Sequence, residues 1–150
     1  MQWIILFIVS WILFFLLVDY KELKTNIWCG VLAVGMQLSI DTHSIKHGSY
    51  EIINPAVSIW GSSLCFVLGP VLVVATLLAQ YFPGSKWLRI ISVFVFSALY
   101  SIQELLLLLS GALSYLDWHF VDSLVVNTIV MATLGWFSIV VLDKKGVAIK

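Results

Sequence analysis

The sequence predicts an all-α membrane protein, a polytopic bundle of five transmembrane helices with its N-terminus outside and its C-terminus in the cytoplasm. Of the 150 residues, 61% are apolar and only 11% are charged, and the mean hydropathy is +1.06. A soluble domain of this length cannot bury so much apolar surface in a single core, so lipid has to cover it. The apolar residues also fall into long runs that short polar segments separate. We therefore expect one transmembrane domain over residues 1–150 in a cell membrane.

The sequence defines the first predicted span more clearly than the second. Residues 3–18 are apolar apart from Ser10, near the lower length limit for a membrane-crossing helix. The next apolar run, residues 27–40, covers only about 21 Å at helical rise. It crosses only if the helix extends to about residues 25–42, and a re-entrant or interfacial segment is the alternative. Residues 41–54 are then expected to form a long polar loop.

Three further spans follow that loop. We expect the third over residues 56–82, because Pro55 suits the first turn of a helix. Gly69 and Pro70 interrupt its middle, and since proline cannot donate to the carbonyl of Phe66, a kink is predicted there. A Pro-Gly-Ser turn at 83–85 separates it from the fourth span, 87–114. The fifth is expected over residues 118–142.

Basic residues predict the orientation of these spans. Five spans place seven Lys or Arg residues on one side and only Lys46 on the other. The seven are Lys21, Lys24, Lys86, Arg89, Lys144, Lys145 and Lys150. Because cytoplasmic loops carry the excess of basic residues, this side is predicted to be the cytoplasm. Omitting the second span would divide the seven between both sides, so the same count favours five spans.

Glu104 is the main candidate functional residue, because it lies within an otherwise apolar span. A carboxylate at membrane depth is costly and usually has a partner or a function. Asn127 of the fifth span is expected at a similar depth, and Tyr100 shares a helix face with Glu104. We predict a polar cavity open to the outside with Gln103, Asp122 and these three residues as ligand contacts. The alternative is that Glu104 only stabilises helix packing through Asn127 or Tyr100.

A zinc site is a second, separate hypothesis. His43, His47, His119 and Asp122 are all predicted at the outer face, and zinc takes imidazole and carboxylate ligands in sets of three or four. No metal-binding motif of fixed spacing accompanies them. A solvated polar loop or pH sensing by these histidines are the alternatives.

The remaining patterns limit the partners. The net charge is zero without a basic stripe, which argues against nucleic acid. Both cysteines lie in apolar segments, so buried thiols are expected rather than a disulfide framework. Gly61, Cys65 and Gly69 form a small-residue stripe if the third span is helical throughout. Packing inside the bundle is the favoured use of that stripe, and a homo-oligomer or membrane-protein partner is the alternative.

Three stretches carry a family resemblance: VDYKELKTNIW after the first span, SIDTH after the second, and QELLLLLSG in the fourth. With these, the chain resembles small integral membrane proteins of endospore-forming Gram-positive bacteria that have no assigned activity. The resemblance implies a plasma-membrane location.

Three functions are consistent with the sequence. The first is a non-enzymatic protein whose outward-facing cavity binds a small amphiphile, a lipid headgroup or a cation. The second is a metal-dependent hydrolase or transferase at the outer leaflet, with the four zinc-ligand candidates and Glu104 as general base. The third is a structural accessory subunit of a larger membrane complex.

Overall fold

The computed structural model of the chain describes residues 1–143 and contains five helices. They are α1 (Gln2–Leu17), α2 (Leu23–Lys46), α3 (Leu64–Tyr81), α4 (Lys86–Leu109) and α5 (Phe120–Val140). Four short strands accompany them: β1 (Tyr50–Ile52), β2 (Ser58–Ile59), β3 (Ser62–Ser63) and β4 (Leu113–Tyr115). The protein is therefore mostly helical, as predicted. Three of the helices, α3, α4 and α5, are long and apolar enough to cross a membrane.

Helix α3 lies at the centre of the bundle and contacts each of the other four helices. Its side chains form much of the core, including Val67, Leu78 and Ala79, which are fully buried. Helices α4 and α5 pack on each other and leave their outer faces exposed. On α4 these exposed residues include Phe94, Leu106 and Leu109.

Two glycines allow the close approach of helices to α3. A Cβ atom on Gly30 of α2 would lie 2.9 Å from the backbone oxygen of Leu72. A Cβ atom on Gly69 would lie 3.1 Å from the Cα atom of Phe7 in α1. Gly69 thus serves packing inside the bundle, which is the use that the sequence favours for it.

At Pro70, where the sequence predicts a kink, the structure has one π-helical turn over Val67–Val71 within α3. Proline lacks an N–H, and its ring would clash with the carbonyl four residues earlier in a regular α-helix. The wider turn relieves that clash while the helix continues to Tyr81.

Two predicted boundaries were wrong. Helix α2 does not end near residue 42 but runs to Lys46, because Asp41 finds hydrogen-bond partners inside the bundle. Helix α3 begins at Leu64 rather than residue 56, because β2 and β3 form a hairpin first. Its two turn residues, Trp60 and Gly61, both have positive φ (50° and 90°), as a tight hairpin turn requires. Gly61 is therefore not on a helix, and the predicted Gly61/Cys65/Gly69 stripe is not formed.

The sequence also missed the pairing of β1 with β4. These antiparallel strands place Tyr50 opposite Tyr115, Glu51 opposite Ser114 and Ile52 opposite Leu113. The pair joins the segment after α2 to the segment after α4. It closes the end of the bundle at which α2 and α4 finish and α3 and α5 begin.

Candidate functional site

The candidate site is a cavity of about 50 Å³ with two carboxylates in its wall, Asp41 and Glu104. Asp41 lies in α2, five residues before its last residue Lys46, and Glu104 lies in α4, five residues before Leu109. At helical rise both are roughly 7.5 Å from the end of their helix. Residues of α5 and Tyr50 of β1 also line the cavity.

Asp41 is 2% exposed and accepts three hydrogen bonds. The Gln37 amide and the Tyr50 hydroxyl each donate to its Oδ1 atom at 2.6 Å. The Ser62 hydroxyl, from β3, donates to Oδ2. In turn the Tyr100 hydroxyl donates to the Gln37 amide oxygen at 3.1 Å. This carboxylate thus ties α2, β1 and the β2–β3 hairpin together.

Glu104 is partly buried and also accepts three hydrogen bonds. The hydroxyls of Tyr115 and Ser123 donate to its Oε1 atom at 2.6 and 2.5 Å. The Asn127 amide donates to Oε2 at 3.1 Å, so the predicted contact between these two residues is present. Trp118 donates from its indole nitrogen to Ser123 Oγ at 2.7 Å, and holds that hydroxyl in place. Within residues 1–143, the hydrogen-bond partners of this carboxylate are all neutral donors.

The strand pair connects the two carboxylates. Tyr50 and Tyr115 are cross-strand partners, and their side chains reach Asp41 and Glu104 respectively. Burial raises the pKa of Tyr50 above its usual value of 10.0, and the nearby charge of Asp41 raises this pKa further. Burial also raises the pKa of Tyr115, as does its hydrogen bond to Glu104. Both phenols are therefore neutral donors at physiological pH.

The predicted ligand contacts divide into two groups. Glu104, Asn127 and Tyr100 line the cavity. Gln103 does not, because it lies on another face of α4, in a groove with Gln2 of α1. Asp122 also lies away from the cavity, since its carboxylate caps the start of α5 by accepting from the His119 backbone N–H at 2.9 Å.

The four candidate zinc ligands form two pairs rather than one site. The rings of His43 and His47 are 4.4 Å apart, and His119 Nδ1 is 3.5 Å from Asp122 Oδ2. Within residues 1–143, no three His, Cys, Asp or Glu side chains come together in a way that could hold a metal ion. The arrangement that the zinc hypothesis requires is therefore not formed there.

Sequence reasoning missed Asp41, Tyr50, Tyr115 and Ser123 as members of the site. One signal could have found Asp41: Gln37 and Asp41 are four residues apart and share a face if α2 continues past Ile40. No comparable signal marks the tyrosines, since β1 and β4 are only three residues each.

No protein-family model, curated protein or solved structure matches this chain. The chemistry of the site is therefore inferred from the residues of this chain alone.

Proposed function

We propose that this membrane protein binds a small inorganic cation in the cavity between Asp41 and Glu104. The observation that carries the proposal is the charge of the cavity wall: two carboxylates and no Lys, Arg or His among its lining residues. Two negative charges that share a poorly solvated cavity repel each other, and each also loses hydration. A bound cation offsets both costs, and the competing occupant is a proton.

The hydrogen bonds oppose the cost of burying charge on the two carboxylates. Each carboxylate accepts three bonds from hydroxyl or amide donors, which favour the charged form. Carboxylate, hydroxyl and amide oxygens are also the ligands that hard cations such as alkali and alkaline-earth ions prefer. The donor set thus suits such an ion better than a transition metal, which favours nitrogen and sulfur.

The size of the cavity selects among the ligands that the sequence left open. One water needs roughly 10–15 Å³ of such space, so a cavity of about 50 Å³ holds an ion with a few waters. A small amphiphile or a lipid headgroup is too large for it. We therefore favour the cation among the three.

The test is cation binding by the purified protein in detergent. Na⁺, K⁺, Mg²⁺ and Ca²⁺ are each titrated at constant ionic strength, with choline chloride as the balancing salt, while heat release and the melting temperature are followed. We expect at least one of them to bind and stabilise the wild type. Asp41→Asn and Glu104→Gln should each weaken that binding by about tenfold or more, because each removes one charge beside the ion.

Glu51→Gln is the matched control, because Glu51 is an exposed carboxylate on β1 next to Tyr50. It should bind as the wild type does. Equal cation-induced stabilisation in all four proteins would mean a general salt effect and would contradict the proposal.

For the topology we propose five spans, with the N-terminus outside and the C-terminus in the cytoplasm of a plasma-membrane protein. The length of α2 supports this, since 24 residues extend over about 36 Å. The first helix is shorter, but it packs on α3 through Phe7 and Gly69. Among the basic residues that support the orientation, Lys144, Lys145 and Lys150 lie outside the described residues. In this orientation the cavity lies at the outer end of the bundle.

The two other hypotheses gain less support. The metalloenzyme needs its four candidate ligands in one place, and they form two pairs. The accessory subunit was based on a helical stripe that includes Gly61, and this residue lies in a hairpin turn. No second function is therefore proposed.

A further inference from the structure

A long groove on the outer face of α2 is separate from the cavity and is chemically different at its two ends. We call it the α2 groove and define it by Val31, Gly35, Ser39, His43, Lys46 and Trp60. Two adjoining hollows form it: one of about 520 Å³ between α2 and Trp60, and a shallow, open one along the surface of α2 beside Val31. Gly35 and Ser39 line both hollows, so the groove is continuous.

The basic end of the α2 groove carries an unmatched positive charge. Lys46 is exposed, and within residues 1–143 its ammonium has no anionic partner. His43 lies beside it, one helical turn earlier. The groove has no Asp or Glu among its lining residues. Trp60, at the tip of the β2–β3 hairpin, is 70% exposed and forms the facing wall, in the way that tryptophans lie at membrane interfaces.

The other end of the groove is apolar and open. Val31 is exposed, and Leu32 and Met36 lie beside it. A Cβ atom built on Gly35 would have nothing within 4 Å, so the middle of the groove is empty of protein atoms. From Val31 to Lys46 the helix rises about 22 Å, and one leaflet of hydrocarbon is about 15 Å thick. The groove is thus long enough to extend from the interface through a whole leaflet.

We infer that the α2 groove binds one anionic phospholipid, with its headgroup phosphate at Lys46 and His43 and an acyl chain along Val31, Gly35 and Ser39. The phosphate matches the unpaired lysine. A headgroup that also carries a cation, such as choline, would find no carboxylate there. The lipid lies outside the cation cavity, so this inference is independent of the proposed function.

A second copy of the chain is the main competing occupant, and charge argues against it. In a two-fold dimer the same surface meets itself, so residues of one groove face the same set in the other. Lys46 and His43 would then face another basic end without a carboxylate in either groove. An anionic lipid neutralises that charge instead.

Native mass spectrometry of the detergent-solubilised protein tests the inference, with phosphatidylglycerol and phosphatidylcholine titrated separately. We expect one phosphatidylglycerol per chain, bound more tightly than phosphatidylcholine. Lys46→Ala should weaken it by about fivefold, the usual effect of one basic residue on anionic-lipid binding. Gly35→Leu should weaken it similarly, because the new side chain fills the empty groove without meeting protein atoms.

Two controls match these variants. Lys24→Ala removes an exposed lysine at the opposite end of the same helix, and Ala98→Leu adds the same bulk to the exposed face of α4. Both should bind phosphatidylglycerol as the wild type does. Unchanged melting temperatures would show that all four variants fold.

Four outcomes would overturn the inference. The first is equal binding of phosphatidylglycerol and phosphatidylcholine, and the second is an equal effect of Lys24→Ala and Lys46→Ala on phosphatidylglycerol binding. The third is a lipid-free dimer that Gly35→Leu dissociates. The fourth is binding of glycerol phosphate as tightly as phosphatidylglycerol. The last would mean that the groove recognises a free phosphate rather than a lipid.

Discussion

The two carboxylates are held by neutral donors rather than by cations. Asp41 and Glu104 each accept three hydrogen bonds, and one in each set comes from a tyrosine of the strand pair. Such bonds orient the oxygens without neutralising them. Because these donors are neutral, the cavity is a candidate ion site rather than a completed ion pair.

The Tyr50 phenol should make stability depend on alkaline pH. Because the folded-state pKa of Tyr50 is raised, its contribution is fully present below the usual phenol pKa of about 10 and is lost as pH rises through the folded value. Tyr50→Phe removes the ionisable group, so the free energy of unfolding should fall less steeply above about pH 10 in this variant. Chemical unfolding in detergent at a series of pH values measures this.

Tyr20→Phe is the control for that experiment, since Tyr20 is 62% exposed. If Tyr20→Phe and Tyr50→Phe change the alkaline slope equally, the phenol at Asp41 is not the cause.

At the scale of elements, the site depends on α2 and α4 being held at fixed distances from α3. Helix α2 makes its most extensive contact with α3, and α4 is tied to α5. The strand pair β1–β4 then joins the ends of α2 and α4. A small displacement of α2 would therefore separate Asp41 from Ser62 and Tyr50, which lie on other elements.

Two glycines of α2 provide a matched test of that packing. Gly30→Ala places a Cβ 2.5 Å from Thr76 Oγ1 and 2.9 Å from a backbone oxygen of α3, which cannot move without shifting the helix. Overpacking of this kind costs about 1–3 kcal/mol. Gly35→Ala meets nothing and should stabilise α2 by about 0.5–1 kcal/mol. Unfolding in detergent compares the two variants, and equal effects would contradict the close approach of α2 and α3.

At the scale of the whole molecule, the polar residues are unevenly distributed along the bundle. The cavity, both carboxylates and the strand pair lie at the end where α2 and α4 finish. Lys21, Lys24, Lys86 and Arg89 lie at the other end, near the starts of α2 and α4. The proposed orientation, with the positive charges inside, places the cavity at the outer end of the bundle.

Cysteine labelling in intact cells tests this topology. In a chain with Cys29 and Cys65 replaced by alanine, Glu51→Cys should react with an impermeant maleimide, whereas Lys21→Cys and Ser85→Cys should react only after permeabilisation. All three positions are exposed. Labelling of Lys21→Cys from outside together with Glu51→Cys would mean that α2 does not cross. Labelling of both Lys21→Cys and Ser85→Cys from outside, without Glu51→Cys, would mean the opposite orientation.

Much of the fold follows from the sequence alone. Long apolar runs have to be helical in a membrane, because no water is there to form hydrogen bonds with the backbone, and this predicts five helices. The missing N–H of Pro70 predicts an interruption of the regular helix at that residue. The same reasoning identifies Glu104 and its contact with Asn127, since a carboxylate inside an apolar helix needs polar neighbours at its depth.

Only the tertiary structure decided the rest of the site. Asp41 follows an apolar run, and by residue type it is expected in a loop. It is part of a helix because Tyr50 and Ser62, from other elements, donate hydrogen bonds to it. The strands that carry Tyr50 and Tyr115 are too short to show a periodic pattern, and they pair over a gap of more than 60 residues. The local sequence pattern indicates which residues of a helix are buried. Which buried residues meet depends on long-range packing, and this packing brings two carboxylates to one cavity.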